Sequence, residues 1–150
     1  MAKRRKLCPE LAEKARRELN EDPDRVGADI QHIKDWIAKQ PHLRARTDDQ
    51  WILMFLRGCK FSLERTKEKI DLYYTLRSSA PEFCKFKHDD PKLMEIISLG
   101  GLLILPKSSN VLAPRIGLAR IGHVDPNKYH MTDLFSAFGV IQEVCNIVYT

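Results

Sequence analysis

Thr47-Asp-Asp-Gln-Trp51-Ile-Leu-Met-Phe55-Leu-Arg57-Gly58-Cys-Lys60-Phe61-Ser62-Leu-Glu-Arg-Thr66 contains a helix, a tight corner and the start of a second helix within twenty residues. Thr47 with Gln50 three positions on has the pattern of a capping box, and Asp48 and Asp49 suit the positive end of the helix dipole. Trp51, Ile52, Phe55 and Leu56 recur on one wide apolar face. Gly58 stands where a left-handed residue commonly ends a helix, and Ser62 is placed to cap the next one. Aromatic side chains on both sides of the corner imply that it is buried against other helices. The signal is architectural and carries no catalytic group.

The remaining composition is that of an ordinary globular protein. A chain of 150 residues is long enough for one domain and for burial of roughly 70% of its unfolded surface. Apolar residues make up 43% and charged residues 30%, both unremarkable. The net charge of +5 is spread over successive fifty-residue thirds as +2, +2 and +1, so no basic field is gathered. Lys3-Arg4-Arg5-Lys6 is the one basic cluster, and it reads as a solvated tail spanning residues 1–8 rather than a nucleic-acid or lipid site. Cys8, Cys59, Cys84 and Cys145 are widely spaced, which suits a reducing compartment. Pro9 and Glu10 leave no secretory apolar stretch after the basic cluster, and Leu102–Leu105 is too short to span a bilayer. A soluble, cytoplasmic monomer is expected.

Along the chain, periodicity and caps predict a first helix over Pro9–Leu19 and a second from Asp22-Pro23 to Pro41, with Val26, Ile30, Ile33 and Ile37 inward. The opening stretch supplies the third. The fourth runs from Leu63 to Ser79, with Lys67 and Asp71 able to pair outside. Residues 9–80 thus form a helical bundle. A second region, 81–150, begins with a helix at Asp90-Pro91 whose buried side is Leu93, Met94 and Ile97, stopped by Gly100-Gly101. Leu102–Leu105 has the pattern of a strand covered on both faces, with Arg115–Ile121 as its partner. His123–Asn127 reads as a turn, and Thr132 as the cap of a last helix through Leu134, Phe135, Phe138, Ile141, Val144, Cys145 and Val148.

Two strands make no independently stable sheet in water, where about three or a packed layer are needed. The apolar strand and last helix therefore need a cover that these residues do not supply. The expectation is that the chain is part of a larger domain, with a covering partner as the alternative.

No chemical constellation emerges. His88 and His123 each stand near aspartates but lack a third metal ligand at a usable spacing. Gly100-Gly101 lacks the lysine and hydroxyl of a phosphate loop, and Ser78-Ser79 and Ser108-Ser109 lack nucleophile-elbow glycines. No catalytic residue, metal or cofactor is assigned, and an enzyme is not expected.

Phe55-Leu-Arg57-Gly-Cys-Lys60-Phe61-Ser after Asp48-Asp49 resembles the helical N-terminal region of the CRAL-TRIO family. Gly100-Gly101 and then Arg115-Ile-Gly-Leu-Ala-Arg-Ile-Gly-His-Val-Asp125-Pro126 look like the opening strands and turn of its lipid-binding domain. The resemblance runs from about Pro9 to Thr150 and is nearest the alpha-tocopherol transfer protein and cellular retinaldehyde-binding protein branch. It implies an α/β class, mostly helical over these residues: a helical bundle, then the first strands and helix of a mixed-sheet domain. It implies a non-enzymatic carrier of a small hydrophobic lipid, tocopherol- or retinoid-like, that meets membranes transiently and recognises phosphoinositides, with no nucleic-acid partner. In that family the gate and the phosphoinositide patch lie beyond the equivalent of residue 150.

By position in the motif, Phe135, Phe138 and Gln142 are the residues that would face the cavity, and their i, i+3, i+7 spacing puts them on one helix side. The same spacing also suits core packing against the sheet. Trp51, Phe55, Leu56, Arg57, Lys60 and Phe61 form the structural motif, with Arg57 as an ion-pairing or capping residue. The alternative function is a protein-interaction or regulatory helical module that carries no ligand.

Overall fold

A computed structural model describes residues 6–105, 110–120, 122 and 124–149. Lys3 to Arg5, Lys107, Ser108-Ser109, Ile121, His123 and Thr150 lie outside the described residues. The class is the α/β one expected, mostly helical. In chain order the described elements are α1 (Pro9–Leu19), α2 (Val26–Ala38), α3 (Asp49–Gly58), α4 (Leu63–Ser79), a 3-10 turn (Pro81–Phe83), α5 (Pro91–Ser98), β1 (Leu102–Ile104), β2 (Gly117–Ala119) and α6 (Met131–Tyr149). None of the described helices is long and apolar enough to cross a membrane. The chain divides into two compact units, one running to Ser78 and one from Ser79 to Asn146.

The first unit is held by one core. Val26, Ile30, Ile33 and Ile37 of α2 pack with Trp51, Ile52, Leu53, Phe55 and Leu56 of α3 and Ile70 of α4. Trp51, Phe55 and Tyr73 form a triangle of edge-to-face rings with centroids 5.4 to 5.7 Å apart, the arrangement aromatic quadrupoles prefer. Arg46 lies over the Trp51 ring at 4.9 Å.

Local details depart from the sequence reading. Residues 22–25 form a turn closed by Val26 N–H to the Asp22 carbonyl, so α2 starts at Val26 instead of Pro23. The α3 cap is Asp48, whose Oδ1 accepts from the Trp51 N–H at 3.1 Å, and not Thr47. A carboxylate at that site caps and also meets the helix dipole, which a hydroxyl does not. Gly58 stays helical. Lys60 and Phe61 take the left-handed turn instead, at φ 52° and 58°. Phe61 N–H donates to the Leu56 carbonyl at 2.8 Å and Lys60 N–H to that of Arg57 at 3.1 Å, the paired bonds of a Schellman motif. The motif folds Phe61 back against the core that holds Leu56. On α4, Lys67 pairs with Glu64 and Asp71 with His42, so the expected Lys67–Asp71 pair gives way to a local bond and a bond to the α2–α3 connection.

The second unit has a smaller core of Phe86, Leu93, Ile96, Tyr129 and Ala137, with Ile97, Val124, Leu134 and Val140 around it. The buried side of α5 is Leu93 and Ile96. Met94 is exposed, because a step of three from Leu93 reaches the core and a step of one does not. Gly100, at φ 65°, ends that segment. β1 and β2 pair antiparallel, Leu103 opposite Leu118 and Ile104 opposite Gly117. Leu103, Ile104 and Leu105 are each about 40% exposed, so the described residues do not cover this strand on both faces.

Candidate functional site

α6 places the residues expected to bind a ligand. Its start is fixed by Asp133, whose side chain is fully buried. Asp133 Oδ2 accepts from the His130 N–H at 2.9 Å, the carboxylate half of a capping box, so the cap is His130 with Asp133; Thr132 lies inside the helix. Lys85 Nζ lies 2.5 Å from Oδ1 and Lys92 Nζ 3.0 Å from Oδ2. Burial pushes the Asp133 carboxyl up, but hydrogen bonds from Lys85, Lys92 and the His130 N–H, with the Lys85 charge, outweigh it and hold it at about 2. One turn on, Ser136 Oγ accepts from the Phe86 N–H at 3.0 Å. These bonds tie α6 to α5 and to the segment before it. Hydrophobic periodicity does not single out Asp133; its sequence signal is an acid three residues after His130, the spacing of a capping box.

So anchored, α6 turns Leu134 and Ala137 into the core and leaves Phe135 and Phe138 at its edge, 55% and 45% exposed. Phe83 stacks edge-to-face on Phe135 at 5.9 Å. Phe135 and Phe138 line a recess of about 120 Å³ with Ile96, Ile97, Val124, Met131, Leu134 and Ile141. No lining residue is charged. A second groove of about 320 Å³ lies between α6 and the sheet, lined by Ile104, Gly117, Ala119, Phe138, Ile141, Gln142 and Cys145. Phe138 and Ile141 border both. Phe138 therefore stands between Phe135 in the recess and Gln142 in the groove, so the three expected residues serve two adjoining spaces. Drug-sized pockets run roughly 300–1,000 Å³. The recess alone suits a segment of an elongated molecule, the pair a longer one.

The motif residues of the first unit line neither the recess nor the groove. Trp51, Phe55 and Leu56 are buried in its core, and Arg57 makes a bidentate bond to Glu21 at 2.8 Å through both Nε and Nη2. Among the described residues, no group of three His, Cys, Asp or Glu side chains is placed to hold a metal ion.

The family described as Pinta-like, UBA domain matches residues 22–96, half of the chain. Clavesin-1 of Pongo abelii is 34% identical over 140 residues, covering 92% of this chain and 39% of that protein. Clavesin-1 of Mus musculus is 33% identical over the same shares. Clavesin-2 of Homo sapiens is 38% identical over 96 residues, 63% of this chain and 29% of that protein. The chain thus spans about two-fifths of the length of the curated relatives it matches over most of its residues. No solved structure matches it. The clavesin likeness supports a CRAL-TRIO relationship, and the described fold is consistent with that α/β class. The chain belongs to the Pinta-like, UBA domain family.

Proposed function

We propose that this chain belongs to a non-enzymatic carrier that binds a small hydrophobic lipid against α6 and exchanges it at membranes from the cytosol. The observation that carries the reading is the α6 edge: Phe135 and Phe138 stay half exposed over an uncharged apolar recess while the helix beneath them is pinned by the buried Asp133 carboxylate and two partly exposed lysines. Exposed aromatic side chains on a rigid support mark binding surfaces. Covering them with lipid stabilises the complex by roughly 25 cal/mol per Å² of apolar area removed from water. Phe135 and Phe138 contact the apolar body, and the Gln142 amide meets a hydroxyl or carbonyl. The finer reading is a tocopherol- or retinoid-like ligand with phosphoinositide recognition at the membrane, on the strength of the sequence resemblance. Native mass spectrometry of the protein extracted from cells tests it. A bound apolar molecule is expected; a protein that binds no retinoid, tocopherol or other lipid contradicts it.

A second reading, a protein-interaction module, is favoured by Leu72 and Leu76, one turn apart on α4 and more than half exposed. Replacing both with serine would then abolish partner capture and leave lipid binding intact.

A further inference from the structure

β2 is the one element of the α6 groove built from small residues. Gly117 and Ala119 are two apart on a strand, so they share a face, and both line the groove opposite Gln142 and Cys145. Their cross-strand setting makes the step visible. Gly117 pairs with Ile104, which lines the same groove, so a branched aliphatic chain on β1 stands beside a bare backbone on β2. Leu118 points to the other face, opposite Leu103. The low side of this step is what leaves about 320 Å³ open. Gly117 does not need to be glycine for its backbone, since its φ is not positive, and a methyl there would meet only Ile104 Cδ1 at 3.6 Å. Its smallness leaves space.

Chemistry narrows what can fill that space. No Lys, Arg, His, Asp or Glu lines either the groove or the adjoining recess; the Gln142 amide and the Cys145 thiol are the polar side-chain groups. A carboxylate or phosphate laid against this apolar lining finds no cation to pair with. An uncharged lipid bearing one hydroxyl or carbonyl can hydrogen-bond to the amide and cross the Phe138–Ile141 ridge into the apolar recess.

We propose that Gly117 and Ala119 are the specificity-determining residues of this site, keeping the length of β2 clear for the chain of an uncharged, single-headed lipid. This rests on the carrier reading above and adds the residues that select the ligand.

The test compares palmityl alcohol with palmitate on the wild-type chain and three variants by equilibrium binding. The wild type binds the alcohol at least about tenfold more tightly than the carboxylate. Ala119→Leu fills the groove and weakens alcohol binding about tenfold. Leu118→Gln, on the opposite face, leaves it unchanged. Gly117→Ala, which meets nothing closer than ordinary contact, keeps the fold and loses roughly two- to fivefold, so the outcome does not hang on Ala119→Leu folding. Equal alcohol affinity in wild type, Gly117→Ala and any folded Ala119→Leu overturns the inference and leaves the carrier reading standing, as does palmitate binding as tightly as the alcohol. A wild type that binds neither these lipids nor any retained from cells overturns both.

Discussion

Arg57 grips Glu21 through two parallel hydrogen bonds of 2.8 Å, from Nε to Oε2 and from Nη2 to Oε1, with both side chains nearly buried. The pair joins the end of α3 to the connection between α1 and α2. Removing one partner leaves the other charge buried, which costs about 3–5 kcal/mol. Arg57→Ala and Glu21→Ala should each lower the unfolding free energy of the first unit by that amount in urea titration. Arg57→Met with Glu21→Leu should recover most of it, because an apolar pair leaves no charge stranded.

The corner after α3 makes a prediction opposite to the one its sequence suggests. Were Gly58 the left-handed residue, alanine there would be strained. In the structure Gly58 is helical, with nothing within 4 Å of an added Cβ. Gly58→Ala should therefore stabilise by about 0.5–1 kcal/mol. Lys60→Gly should stabilise by up to about 1 kcal/mol, since Lys60 bears the positive φ. Chemical denaturation of both variants checks this directly.

These two sites show what the chain reveals by pattern and what it hides. Pro9, Ile30, Ile33, Trp51 and Phe55 announce their helices because Pro prefers a first turn and apolar residues recur at helical spacing. Caps and stops are decided by single dihedrals and competing neighbours. Thr47 and Asp48 are both able caps, and the turn falls on Lys60 because Phe61 gains core contacts there. Met94 and Ile96 exchange roles for a similar reason, as a short helix has too few repeats to define its phase. At the candidate site, periodicity groups Phe135, Phe138 and Gln142 on one side of α6. Gly117 and Ala119 have no sequence signal as a groove floor, because smallness matters only once strand register places them opposite α6.

Asp133 predicts an acid limb. Its folded carboxyl sits at about 2, below its ordinary 3.8. The stabilisation is therefore full above about pH 4 and is lost as pH falls towards about 2, amounting to about 2 kcal/mol. Asp133→Asn should remove that amount at neutral pH and flatten the stability profile between those limits. Tertiary-structure signals followed against pH would test it; an unchanged acid limb in the variant contradicts the assignment.

Cys145, which lines the groove, reports on lipid lying against α6. The decisive measurement is the rate of Cys145 alkylation, resolved site by site by mass spectrometry, with and without retinol, tocopherol or palmityl alcohol. Cys8 of the first unit serves as internal reference. At least one lipid should slow Cys145 several-fold and leave Cys8 unchanged. Equal Cys145 rates at lipid concentrations where binding is saturated would contradict it.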